Sequence, residues 1–154
     1  MTRAAFLADQ LRRSVTGEAW HGPSVNEALK GVSARQAAQR PLNTHSIWEL
    51  LLHIDAWQKI SLRRLNCELF TAQPDSKEDW PPVGSISDSA WRKACAAVKR
   101  SNQRLAAAAA KCSDKKLAAR AAGQKYPNGF MLNGVVQHNI YHAGQIALMK
   151  KIVL

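Results

Sequence analysis

Two histidines, His138 and His142, stand four residues apart in the segment Gln137-His-Asn-Ile-Tyr-His-Ala-Gly-Gln145. On an α-helix that spacing puts both imidazoles on one face, a turn apart, where they can reach a single ion. Neutral imidazole suits zinc, nickel, copper or iron, and a third ligand has to come from another element. Only five histidines occur in the chain. His53 is the natural third, because Leu50 three residues before it and Trp57 four after it place it on the apolar side of its own segment. Spacing alone leaves a plainer reading open. A single histidine on an apolar face is often a satisfied core residue, and His-x-x-x-His pairs also occur on exposed faces. Three inward imidazoles from two helices are harder to dismiss, since each buried ring needs polar partners.

The elements that must position these residues read as helices. A first helix is expected from Thr2 to about Ser14 on the stripe Phe6, Leu7, Leu11. Trp20-His-Gly-Pro23 breaks the chain, Ser24-Val-Asn-Glu27 has the form of a capping box that opens a short helix carrying Leu29, and Ser33 caps another piece closed by Pro41. Ser46-Ile-Trp-Glu49 is a further capping box. The apolar stripe Ile47, Leu50, Leu51, Ile54, Trp57, Ile60, Leu65 then predicts a core-facing helix of about 24 residues ending near Phe70. A long proline-containing loop, Ala72 to Ser87, follows, and loops of that length tend to be functional or mobile. A third long helix is expected from Ser87 or Asp88 to about Cys112, with Trp91, Cys95, Val98 and Leu105 on one face interrupted by Asn102. A connector spans Ser113 to Gly129, with Tyr126-Pro-Asn-Gly129 as a turn, and the last helix runs from about Phe130 to Ile152. Four long helices without a strand pattern predict an all-α four-helix bundle, one domain over residues 1–154, with short extra helices in its connections.

Composition narrows the function classes. Hydrophobic residues make up 46% of the chain, which excludes a disordered tail protein. No apolar run approaches the roughly 20 residues needed to span a bilayer, and no signal peptide is read at the N-terminus. The three cysteines are widely spaced without a metal or disulfide pattern, so a reducing cytoplasm is expected; Cys67 and Cys95 read as small core hydrophobes on helices. The net charge of +11 is scattered in short pairs such as Arg63-Arg64 and Lys150-Lys151. That describes a solvated basic surface which also attracts anionic small molecules, and no nucleic-acid-binding motif accompanies it.

Taken together, Trp20-His-Gly-Pro-Ser24, His45-Ser-Ile-Trp-Glu-Leu50 running into His53-Ile-Asp-Ala-Trp57, and His138-Asn-Ile-Tyr-His-Ala-Gly-Gln-Ile146 resemble the DinB-like superfamily, which includes the YfiT-type metal-dependent hydrolases. The likeness covers nearly the whole chain in the same order. It implies a four-helix bundle, commonly homodimeric, whose metal is held by one histidine of the second long helix and the His-x-x-x-His pair of the last. Those positions fall on His53, His138 and His142. Nickel and zinc both occur in the family and are the first candidates here, with iron and manganese after them. Five tryptophans in 154 residues also suit an interface between two copies.

Other residues have weaker claims. Glu49, one turn before His53, is a candidate general base or partner of a ligand, and also the third position of the capping box. Gln145 and Tyr141 follow the two helical histidines by three residues and are candidates to hydrogen-bond a ligand or substrate. His21 is a candidate to line the mouth of a pocket, and His45 reads as a loop residue. Three protein ligands leave open positions on a metal, the arrangement of a catalytic site. Such a metal either activates water for hydrolysis or binds a substrate thiolate. The resemblance extends to transferases and isomerases that use low-molecular-weight thiols such as bacillithiol and mycothiol, anionic molecules that a basic protein attracts. The absence of a His-Glu-x-x-His pattern, with Asn139 after the first histidine, counts against hydrolysis. The expected function is therefore a metal-dependent enzyme acting on a small molecule, by low-molecular-weight thiol transfer or hydrolysis. A non-catalytic metal-binding stress-response protein is the alternative; neither nucleic acid nor membrane is an expected partner.

Overall fold

Three of the four long helices start where a short polar side chain takes up free backbone N–H groups. Thr2 caps α1 (Arg3–Thr16), Ser46 and Glu49 form the reciprocal capping box of α4 (Ile47–Leu65), and Ser87 caps α5 (Asp88–Ala110). Short helices α2 (Val25–Ala28), α3 (Ala34–Ala37) and α6 (Asp114–Ala118) lie in the connections, and α7 (Asn128–Val153) closes the chain. A 3-10 turn at Pro41–Asn43 leads into α4, with Leu42 and Asn43 in the left-handed region. The computed structural model describes residues 1–153, and among them no strand is present. The four long helices touch in a ring, α1 on α5, α5 on α4, α4 on α7 and α7 on α1. That is an all-α four-helix bundle, as the hydrophobic periodicity predicts.

The apolar core is split in two. One half gathers Ile47, Leu51 and Ile54 of α4 with Trp91 and Val98 of α5 and Ala143 and Ile146 of α7. The other gathers Leu7 and Leu11 of α1, Leu65, Leu105, Leu117, and Met131 to Val136 of α7. On α7 the two histidines fall between the halves, and on α4 His53 lies near the inner end of the first. Buried polar side chains line the same waist: Asn139 donates to Ser14 (3.0 Å), Asn102 to the Leu11 carbonyl (2.9 Å), and Ser101 to Asp55 (2.6 Å). The two apolar halves supply the folding energy, so the waist is free to carry polar groups. Among the described residues no helix is long and apolar enough to cross a membrane.

Two boundaries differ from the sequence expectation. α4 stops at Leu65 after 19 residues, short of Phe70. Cys67 sits at φ 66°, its N–H donates to the Arg64 carbonyl, and the Glu68 N–H donates to the Arg63 carbonyl. This is a Schellman stop with cysteine in the position glycine usually takes, so no sequence signal marked it. Cys67 is consequently exposed rather than part of the core, while Cys95 is half-buried. α7 starts at Asn128 instead of Phe130, because the Asn128 amide donates to the carbonyls of Lys116 and Ala119 and ties the turn onto α6.

Candidate metal centre

α4 and α7 bring His53, His138 and His142 together, with one ligand nitrogen from each within 4.8 Å of the others. The Nε2 atoms of His53 and His138 are 2.9 Å apart, and those of His138 and His142 are 3.1 Å apart. The opposite nitrogens of two rings are spoken for. His53 Nδ1 donates to the Asp79 backbone carbonyl at 2.7 Å, and His142 Nδ1 donates to Gln145 Oε1 at 2.6 Å. Gln145 in turn points its amide nitrogen at the Tyr141 hydroxyl (3.4 Å), which fixes the oxygen towards the ring. With their protons on Nδ1, His53 and His142 present bare lone pairs at Nε2.

The lone pairs of His53 and His142 both meet His138 Nε2, and the one proton a neutral His138 can carry there satisfies only one of them, so a cation is what would serve all three. Protons are poor candidates for that cation. Burial, reinforced by the neighbouring imidazoles, pushes His138 down to about 3, and burial pushes His142 down to about 4. His53 is likewise lowered by burial, against the pull of Asp79. Three neutral imidazoles, the tautomers of His53 and His142 fixed by their partners, form a donor set for a divalent metal of the zinc or nickel kind. The residues fit such a metal.

The long loop before α5 supplies what the sequence reading missed. Asp79 is buried, and its Oδ1 accepts from the Trp57 indole N–H (2.7 Å) and lies 3.3 Å from His53 Nδ1. The Asp79 carbonyl, with the carboxylate close beside it, fixes the ring of a candidate metal ligand, as such partners do for ligating histidines. The next residue, Trp80, stacks flat on His53 at 3.9 Å and on His45 at 3.7 Å. Two rings this close and this parallel to one indole must lie on its opposite faces. His45, read from sequence as a loop residue, is therefore the outer layer of a three-ring stack on the ligand. A loop of that length between two packed helices was the only available signal.

The other candidates are placed unevenly. The Glu49 carboxylate accepts from the Ser46 backbone N–H and pairs with Arg40, while the Glu49 N–H donates to the Ser46 hydroxyl. Burial raises its pKa, but Arg40 and the cap outweigh that and hold the carboxyl below its ordinary value. Tyr141 and Gln145 line a cavity of about 590 Å³ together with His142, Trp80 and His45. His21 lines a different hollow, between α1 and α7, that contains none of the three histidines. A smaller cavity of about 250 Å³ reaches the centre from the other side, at His138. Neither of the cavities that touch the centre is lined by an Asp or Glu.

The sequence model of the DinB superfamily matches residues 19–146, a span that holds all three histidines and both residues of the Asp79–Trp80 support. No curated protein and no solved structure matches the chain.

Proposed function

We propose that the chain, which belongs to the DinB superfamily, is a metal-dependent enzyme that activates a small-molecule thiol at His53, His138 and His142. The observation that carries this reading is the pairing of a three-imidazole donor set with cavities that offer no carboxylate. Hydrolysis calls for a base beside the attacking water, and the nearest carboxylate, Asp79, stands behind His53 on the Nδ1 side. A divalent metal, nickel or zinc foremost, supplies a Lewis acid that stabilises a thiolate without such a base. Transfer then forms one carbon–sulfur bond to an electrophilic second substrate, expels its leaving group as an anion and releases the thiol proton to solvent.

The protein's own residues orient and enclose. Asp79 and Gln145 hold two imidazoles in the Nδ1–H form, so that Nε2 stays a ligand. Trp80 and Tyr141 wall the larger cavity, whose lining is mostly apolar and whose volume of about 590 Å³ suits a small organic molecule. Glu49 acts in this reading through Arg40 and the helix cap, not as a base.

Cobalt substitution tests the proposal. Cobalt protein titrated with 2-mercaptoethanol should gain a sulfur-to-metal charge-transfer band in the near ultraviolet. No band at saturating thiol, together with a hydrolysis abolished by Glu49→Gln, would transfer the assignment to a hydrolase.

A further inference from the structure

Arg64 carries a positive charge that the bundle encloses without neutralising. The residue is 4% exposed. Its Nε donates to the Phe70 carbonyl and one terminal nitrogen donates to the Tyr126 hydroxyl, each at 3.1 Å, and both acceptors are neutral. Among the described residues no carboxylate pairs with it. The second terminal nitrogen makes no hydrogen bond within the protein. An enclosed guanidinium is costly when unpaired, and two neutral acceptors could be satisfied by an uncharged donor. Arg40, beside the larger cavity, differs in this respect because Glu49 already neutralises it.

Arg64 lines the 250 Å³ cavity, and His138 lines the same cavity. Trp57 joins the two ends, its ring 5.5 Å from the Arg64 Cζ and 6.1 Å from the His138 ring. Between them the walls are apolar, from Met131 and Val135, with the Ser61 hydroxyl as a further polar group. Arg64, with one terminal nitrogen unbonded, therefore stands at one end of a largely apolar cavity, and His138 of the histidine cluster stands at the other.

We propose that this cavity binds a carboxylate of the small-molecule substrate at Arg64 and so directs the rest of the molecule along Trp57 to the three histidines. The proposal deepens the reading of the histidines as a reaction centre and rests on it for the word substrate; the anion site itself stands on Arg64. A carboxylate is the matching anion because a single guanidinium fork and two neutral hydroxyls, Tyr126 and Ser61, balance one charge. A phosphate would bring nearly two into a site with one cation.

The test uses calorimetry on the metal-free protein with butyrate and butyramide, and the cobalt band with 3-mercaptopropionate and 3-mercaptopropanamide. Wild-type protein should prefer each acid to its amide by about tenfold or more. Arg64→Gln should bring the ratio to about one, Arg64→Lys should leave it in between, and Arg40→Gln should not change it. Because the buried charge lacks a counter-ion, Arg64→Met should melt no lower than wild type without ligand. A wild-type ratio near one, or a ratio that survives Arg64→Gln, would overturn the carboxylate site. If Arg64→Gln does not fold, an unchanged ratio in Arg64→Lys together with a lowered melting point in Arg64→Met would assign Arg64 a purely structural role and overturn it as well. An Arg64-dependent preference for butyrate with no cobalt–sulfur band leaves the anion site standing and removes the thiol reading. A band of equal strength with acid and amide does the reverse.

Discussion

The Trp57 indole N–H is bonded to the Asp79 carboxylate at 2.7 Å, and this contact helps fasten the loop before α5 onto the helix that carries the candidate ligand His53. Trp57 is one turn beyond His53 on α4, so the same stretch of helix provides both the ligand and the anchor for the group that orients it. Asp79→Ala, which removes the acceptor for Trp57 and so frees the loop whose Asp79 carbonyl holds His53, should therefore lower metal affinity by about 10- to 100-fold while leaving helix content unchanged. Competition with a chromophoric chelator measures this, and an affinity within twofold of wild type would show that the Asp79 side chain does not hold the group that orients His53.

Single replacements His53→Ala, His138→Ala and His142→Ala should each abolish stoichiometric metal binding. The two apolar halves of the core are built from other residues, so far-ultraviolet circular dichroism should barely change. Metal analysis of untagged protein is the measurement. Full occupancy in all three variants would remove the assignment.

Metal-free protein should lose stability in acid in a defined window. His138 and His142 are pushed down to about 3 and 4 from the ordinary 6.5, so between those values the unfolded chain binds more protons than the folded one. The stability they contribute is complete above about pH 6.5 and drains away as pH falls towards 3. Urea unfolding at pH 7 and pH 5 should show a lower midpoint at pH 5. That difference should shrink when His138 and His142 are both leucine, and bound metal should shift the whole loss to lower pH.

Cys67→Gly should stabilise the fold by about 1 kcal/mol, because it relieves a left-handed conformation at φ 66° that only glycine adopts freely. The melting temperature should rise by about 2–4 °C per kcal/mol in a domain of this size. A lower melting point would mean that the contact of Cys67 with Lys116 (3.1 Å) outweighs the backbone strain.

A homodimer is proposed through the outer face of α7. Phe130, Tyr141 and Leu148 are each more than 60% exposed and Ile152 is 51% exposed. They recur with Gly134 and Gly144 at intervals of four, seven, three, four and four, a stripe along the rims of the two cavities that a second copy of α7 could cover in part. Light scattering at micromolar concentration should give twice the 17.0 kDa chain mass. A monomer would leave the stripe without that partner.

Several features of this protein were decided by the sequence alone. The capping box Ser46–Glu49 and the stripe from Ile47 to Leu65 determine where α4 starts and which face it buries. The four-residue interval of His138 and His142 determines that their rings share a side of α7. These are local rules of one helix, with a period set by the backbone. The approach of His53 to that pair follows once two inward faces must pack. What only the tertiary structure decided lies between elements. Asp79 and Trp80 occupy an irregular loop with no period to read, and they act on His53 across 26 residues of chain. Glu49 has the right spacing for a base, yet Arg40 claims it from nine residues away. His21 flanks a motif but lines another hollow. Arg64 reads as one of a basic pair on a solvated surface. Its burial beside Tyr126, 62 residues on, depends on how α4 meets the start of α7, and no local pattern encodes the loss of solvent around a charge.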